Sequence, residues 1–166
     1  FNHSKRITLK TTDLFEILQK LVNNFKVHTA QKNIQIQFDA TEDSLAYLKA
    51  FNCDAIKLKQ AFTNIIKNAV EAIDSEGTII VYVEDTFNAD EQEPDVHFLS
   101  ISFKNNGEPI DPIDRVNIFK PFITHKTNGT GMGLAITEQI IKAHNGYIKC
   151  LFNDTWTEFK ILLPIC

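Results

Sequence analysis

At 166 residues, 43% of them hydrophobic, the chain is long enough for one well-buried domain, and no break in composition divides it. Its 17 basic and 21 acidic side chains leave a net charge of −4, which argues against a non-specific nucleic-acid binder. No apolar run reaches membrane-spanning length, and Phe1-Asn2-His3-Ser4-Lys5-Arg6 is not a signal peptide. The chain begins without Met and is expected to be a fragment of something longer. Cys53, Cys150 and Cys166 are odd in number and lack metal-ligand spacing, so they read as cytosolic free thiols.

Ile7 to Lys10 alternates like a short strand. Thr12 or Asp13 then caps a helix with Leu14, Ile17, Leu18, Leu21, Val22 and Phe25 on one face. Ile34, Ile36 and Phe38 mark a strand over 33–39, and a third strand is expected over 45–51, where the pattern is irregular. Asp54 is the expected N-cap of a helix running to about Asp74, with Leu58, Phe62, Ile65, Ile66, Ala69 and Ile73 on its core face. On that helix Asn64 and Asn68 stand one turn apart, with Gln60 and Glu71 near the same stripe. Asn is a poor helix former, so two in mid-helix cost stability unless their amides find partners. The stripe is either a solvated polar face or a surface turned to a polar ligand, where an Asn carbonyl supplies a hard oxygen for Mg²⁺.

Gly77 turns the chain into an alternating strand over 78–84. Residues 85–95 are acidic, contain Pro94 and read as an exposed hairpin loop, so 96–104 is the returning strand. It runs into Asn105-Asn106-Gly107-Glu108-Pro109-Ile110, a turn-rich loop of the kind that carries ligand contacts. Residues 111–128 show little periodicity beyond a short helix near 113–119. A long loop in a compact domain is often a lid, with Phe119 and Phe122 either anchoring its edge or joining the core.

Next comes Gly129-Thr130-Gly131-Met132-Gly133-Leu134, with Met132, Ile136, Ile140 and Ala143 at helical spacing and Gly146 as a helix stop. A glycine loop feeding a helix N-terminus presents unpaired amides and the positive end of the helix dipole, which suits a phosphate. A flexible loop capped by a core helix is the plainer reading of the same residues. The stretch is not a P-loop, because Gly133-Leu134-Ala135 stands where Gly-Lys-Ser/Thr belongs. Nor is it a dinucleotide-binding turn, because Pro121 to Lys126 does not read as a strand. Residues 147–152 and 156–163 form a closing hairpin around Asn153-Asp154-Thr155, ended by Pro164. The order of elements predicts an α/β two-layer sandwich, a mixed sheet covered on one face by helices.

Taken together, these stretches resemble the ATP-binding catalytic domain of histidine protein kinases, within the gyrase, chaperone, kinase and mismatch-repair (GHKL) ATPase superfamily. Leu58 to Ala72 resembles the family's N box, and Asn105 to Ile110 its first glycine box. Ile118-Phe119-Lys120-Pro121-Phe122-Ile123-Thr124 resembles the F box, and Gly129 to Leu134 the second glycine box. Trp156-Thr157-Glu158-Phe159 with Leu163-Pro164 is similar to the closing strand. The resemblance implies a Bergerat-type fold with an ATP lid. It implies Asn68 as the Mg²⁺ ligand, with Asn64 in support. Implied nucleotide contacts are Asn105, Gly107, Thr130, Gly131, Met132, Gly133 and Leu134, while Lys126 is either a phosphate contact or a solvated lid charge.

In the gyrase-like branch a Glu at the position of Asn64 activates water. An amide cannot act as that base, so the resemblance favours transfer to a protein over hydrolysis. Two residues depart from the family pattern. Asn105 replaces the Asp that accepts from the adenine amino group; Asn offers a neutral acceptor, or its NH₂ donates to a guanine carbonyl. The expectation is relaxed base discrimination with adenine still preferred. Pro109 replaces a glycine, fixing φ and removing an amide donor.

The function expected from the resemblance is Mg-ATP binding and γ-phosphoryl donation to a histidine on the parent kinase's dimerisation helix hairpin, then to a response-regulator Asp. Residues 1–6 are read as the end of a linker from that missing domain, and 7–166 as the catalytic domain. None of His3, His28, His97, His125 and His144 stands in a phosphoacceptor context, so the isolated chain is not expected to autophosphorylate. It is expected to be monomeric and cytoplasmic, as part of a soluble kinase or the cytoplasmic portion of a membrane-bound sensor. The alternative is a nucleotide-sensing or pseudokinase module in which Asn105 and Pro109 mark lost catalysis. A gyrase-like ATPase clamp is disfavoured by Asn64.

Overall fold

The computed structural model describes residues 6–87, 95–121 and 133–165. The first strand, β1 (Lys10–Thr12), lies three residues later than its alternation suggests and pairs antiparallel with β3 (Phe51–Cys53). Helix α1 (Leu14–Thr29) starts at Asp13, whose carboxylate accepts the Glu16 N–H at 2.9 Å, and buries Leu14, Leu18, Leu21 and Val22. Asn33, in the left-handed region at φ 55°, turns the chain into β2 (Ile34–Ala40).

The strand expected over 45–51 is instead helix α2 (Glu42–Lys49), followed at once by β3. Its N-cap explains the difference. The Thr41 hydroxyl accepts the Ser44 N–H at 3.3 Å, and Glu42 and Asp43 complement the positive end of the helix dipole. Ser44 and Leu48, one turn apart, face inward. These signals lie before residue 45, ahead of the window in which the irregular pattern was read as a strand.

The main sheet adds β4 (Gly77–Thr86), β5 (Phe98–Asn105), β6 (Tyr147–Phe152) and β7 (Thr157–Pro164), in the order β2-β4-β5-β7-β6. The β2–β4 pair is parallel and the others are antiparallel. Alternation along the strands puts Ile36, Val81, Ile101, Phe103, Phe159 and Ile161 on one face, inside the core. Helices α1, α3 (Ala55–Glu71) and α4 (Gly133–Ala143) supply the apolar side chains packed on that core. The opposite face carries Gln35, Gln37, Tyr82 and Ser102, the last donating to Glu158 at 2.6 Å. This is the expected two-layer sandwich.

Helix α4 ends in a paired-carbonyl turn: the Gly146 N–H donates to Ile141 O at 3.0 Å and the Asn145 N–H to Lys142 O at 2.9 Å. The left-handed residue there is Asn145, φ 60°, not the glycine. Gly146 is required by space, since a Cβ would lie 2.5 Å from the Leu162 carbonyl oxygen. In the β6–β7 turn, Asn153 Oδ1 accepts from both Thr155 and Trp156 amides. Cys53 and Cys150 are free thiols, and burial pushes the Cys150 thiol up to about 12, so it stays protonated. No helix among the described residues is long and apolar enough to cross a membrane.

One buried cluster ties the N-terminal segment to α3 and α4. Asp54, the N-cap of α3, accepts the Thr8 N–H on Oδ2 at 2.9 Å and the Lys57 N–H on Oδ1 at 3.2 Å. Its own N–H donates to His144 Nε2 at 3.0 Å, and His144 Nδ1 donates to Ile140 O at 2.8 Å. A backbone N–H only donates and a carbonyl only accepts, so these partners set the tautomer of His144, with its proton on Nδ1. Burial pushes the Asp54 carboxyl up, but the Thr8 and Lys57 amides, with the Lys57 charge, outweigh it and hold it below its ordinary value.

Asp54→Ala is therefore expected to cost about 1–2 kcal/mol in urea unfolding. The carboxyl titrates lower in the folded state, so its stabilisation is present above the unfolded value of about 3.9. It is lost as pH falls through the folded value. The gap between wild type and variant should be constant near neutrality and narrow only in acid.

Candidate functional site

Helix α3 is the floor of the site. Leu58, Ala61, Phe62, Ile65, Ile66 and Ala69 are buried along one side, and the periodicity leaves Asn64 and Asn68 half-buried on another. Near its middle, α3 meets the start of α4. Asn64 Nδ2 donates to Gly133 O at 3.2 Å and to Thr137 Oγ1 at 3.4 Å, while the Thr137 hydroxyl itself donates to Gly133 O at 2.8 Å. This three-membered set joins the floor to the first residue of the helix that follows the glycine stretch. Gly133 and Leu134 open α4, and Leu134 packs its side chain against the core, leaving its backbone at the helix N-terminus.

At its C-terminal end α3 meets the loop after β5. The Glu108 N–H donates to Ala72 O at 2.7 Å, and a Cβ on Gly107 would lie 2.4 Å from that same oxygen. Only glycine allows the loop to pass this close. Asn106 ties the loop to β4, its Oδ1 accepting the Thr78 N–H at 2.7 Å. Asn105 is buried on the core side of the sheet, registered against Ile79 of β4 and Thr157 of β7. Its Oδ1 accepts the Gly107 N–H at 3.0 Å.

From residue 64 to residue 72 the helix rises about 12 Å, at ~1.5 Å per residue. Along that length it carries Asn64 beside the α4 N-terminus, Asn68 one turn on, and the Asn105–Glu108 loop at the far end. The sequence-predicted residues Asn64, Asn68, Asn105, Gly107, Gly133 and Leu134 are thus placed on α3 and on the two elements that meet it. Lys126, Thr130, Gly131 and Met132 lie outside the described residues, as does Phe122.

Beyond the loop, the Arg115 guanidinium lies 4.0 Å over the Phe152 ring and its Nε donates to Ile110 O at 3.1 Å. Arg115 belongs to a 3₁₀ turn, Arg115–Asn117, where a short helix over 113–119 was expected. Ile118 is buried, and Phe119, partly buried, packs against the core and meets Phe159 edge-on at 6.3 Å. Two contributors were not foreseen: Thr137, identifiable only by its i+4 spacing from Gly133, and the Ala72 carbonyl, which no side-chain pattern marks. A cleft of ≈ 250 Å³ lies elsewhere, at the C-terminal end of α4 beside β1 and β3, and none of the predicted site residues lines it.

A mixed sheet with helices on one face, and a helix α3 joined to the start of α4 and to the loop after β5, make up this α/β sandwich. Residues 53–165 match the family model described as histidine kinase-, DNA gyrase B- and HSP90-like ATPase. The chain belongs to that family. Over 160 residues it is 33% identical to the sensor histidine kinase ZraS of Salmonella typhimurium, a match covering 96% of this chain and 32% of that protein. Sporulation kinase C of Bacillus subtilis is 31% identical over 160 residues, covering 96% and 35%. The chain thus spans about a third of these relatives' length. Among solved structures, the catalytic domain of the histidine kinase ThkA superposes with a TM-score of 0.80 at 28% identity, covering 95% of this chain and 96% of that one. ThkA in complex with the response regulator TrrA gives 0.74 at 25% identity, covering 94% and 41%.

The close approach at Gly107 yields a direct check. Gly107→Ala must push the loop off the Ala72 carbonyl, with an expected loss of about 1–3 kcal/mol in chemical unfolding. Gly133→Ala meets nothing nearer than 3.8 Å among the described residues and should fall within about 0.5 kcal/mol of wild type.

Proposed function

We propose that this domain binds a Mg-nucleoside triphosphate, ATP in the first place, along α3. It then donates the γ-phosphoryl group to a histidine on the dimerisation helix hairpin of its parent kinase, for onward transfer to a response-regulator Asp. The observation that carries this reading is the double attachment of α3: one helix holds the glycine-fed N-terminus of α4 at Asn64 and the Asn105–Glu108 loop at Ala72. In this reading the phosphates lie against the first-turn amides of α4, which lack intrahelical acceptors and where the helix dipole favours negative charge. The base lies toward Asn105. By the family resemblance, Gly131, Thr130, Met132 and Lys126 are proposed as further phosphate contacts.

Asn68 is the side chain proposed to hold Mg²⁺. Its amide oxygen is a hard donor of the kind Mg²⁺ takes together with phosphate oxygens and water. Bound there, the ion would neutralise phosphate charge. The protein's own contribution is positioning: Asn64 spends its NH₂ on Gly133 and Thr137 and offers no base for water. That favours a protein acceptor over hydrolysis. The relationship to sensor kinases, and the ThkA complex with its response regulator, support the same partner classes, a phosphoacceptor hairpin and a receiver domain. Residues 1–6 are proposed as the end of the linker from that hairpin.

The test is phosphotransfer from Mg-ATP to the parent kinase's dimerisation hairpin, supplied as a separate chain. Acid-labile phosphate should form on the hairpin and not on this chain alone, and Asn68→Ala should slow it on the order of 10²-fold. Nucleotide binding without transfer would identify a nucleotide-sensing module instead. Rapid ATP turnover with no acceptor present would point to a clamp-type hydrolase.

A further inference from the structure

Thr137 is fully buried in a helix whose other buried side chains, Ala135, Ile140 and Ile141, are apolar. Val would fill the same volume there without a polar group to satisfy. The Thr137 hydroxyl is engaged twice: it donates to Gly133 O at 2.8 Å, and its oxygen stands 3.4 Å from Asn64 Nδ2. With its proton on Gly133, Thr137 Oγ1 can only accept from Asn64. The Gly133 carbonyl, 3.2 Å from the same nitrogen, accepts in any case. The Asn64 carboxamide therefore has one sense, since flipping it would set its oxygen against two acceptors. Both bonds exceed the usual length of about 2.9–3.0 Å, so the two oxygens hold the NH₂ jointly. The other arm of the amide is left over. Asn64 Oδ1 has no hydrogen bond among the described residues and lies 4.0 Å from the point where a Cβ on Gly133 would stand. The three atoms nearest that point all belong to Asn64, none closer than 3.8 Å, so Oδ1 borders open space beside the first residue of α4.

We propose that Thr137 is a positioning residue for the Mg-nucleotide. By holding the NH₂ of Asn64 back against α4, it keeps Oδ1, and not a donor, turned to the phosphate end of the site. This rests on the nucleotide reading above and deepens it. An amide oxygen has only lone pairs to offer, so at that end it serves the Mg²⁺ ion or a water on that ion. It cannot serve a phosphate oxygen, which is itself an acceptor. In Thr137→Val a methyl group replaces the oxygen that faces the NH₂, and the amide keeps a single long bond to Gly133. The side chain is then free to turn, and its oxygen is no longer held in place.

The experiment is a double-mutant cycle in this chain, read by calorimetric titration with Mg-ATP. Thr137→Val should weaken binding about 5-fold, the worth of one hydrogen bond. Thr137→Ser, which keeps the hydroxyl, should stay within about 2-fold of wild type. In an Asn64→Ala background the Val substitution should change affinity by less than about 2-fold, because no amide is left to turn. The same loss with and without Asn64 would show a purely structural role and overturn the proposal, as would Thr137→Val binding like wild type. Thr137→Ala takes the same place in the cycle should the Val variant not fold. A second readout needs no nucleotide: by nuclear magnetic resonance, the Asn64 side-chain NH₂ should exchange its hydrogens faster in the variant than in wild type, and equal rates would overturn the proposal. Absence of Mg-ATP binding by the wild-type chain would overturn the nucleotide reading and this one with it, a different result from binding that ignores Thr137.

Discussion

The burial of Leu58, Phe62, Ile65, Ile66 and Ala69 fixes the rotation of α3 about its own axis, and the site follows from that rotation. Each fully buried Leu, Ile or Phe is worth roughly 1.5–3 kcal/mol. The hydrogen bonds that Asn64 makes to Gly133 and Thr137 contribute only about 1 kcal/mol each. The apolar face therefore decides which way the helix turns, and the Asn stripe is carried to its place by packing it does not itself drive. Once there, Asn64 is saved from being an unpartnered mid-helix amide by the α4 N-terminus.

The same economy operates at the other end. The loop after β5 is held by backbone bonds to Ala72 and Thr78 and by two Asn side chains acting as acceptors, Asn105 toward Gly107 and Asn106 toward Thr78. Gly77 and Gly107 leave room for this lacing, since a Cβ on either would come within 3 Å of its neighbours. Farther off, Asp54 and His144 hold the N-terminus of α3 to the C-terminus of α4 through hydrogen bonds with unambiguous donors and acceptors. Helix α4 is thereby joined to α3 near both of its own ends.

Much of this was legible in the residues. The apolar stripe of α3, its Asp54 cap, the alternating strands of the main sheet and the closing hairpin stand where their periodicities put them, and the sheet with helices on one face follows from their order. Helix α2 was misread because its evidence lies in the Thr41 cap and the acidic first turn, not in the short irregular run itself. Gly146 stands at the helix stop expected of it, but Asn145 makes the left-handed turn and Gly146 is kept small by the Leu162 carbonyl. At the site, the residue types at 64, 68 and 105 were visible. Thr137 and the Ala72 carbonyl were not, because a hydroxyl one turn into a helix and a backbone oxygen leave no pattern of their own. The direction of the Asn105 amide lay beyond sequence altogether: it depends on where the Gly107 N–H points.

The proposed nucleotide site has both its ends on one helix, and amide hydrogen exchange tests this most directly. The first amides of α4 have no intrahelical acceptors and should exchange quickly in the free protein. On saturation with Mg-nucleotide, exchange should slow in residues 105–108 and in 133–136 together, at the same ligand concentration. Protection confined to the cleft beside β1 and β3, with both of those segments unchanged, would contradict the account.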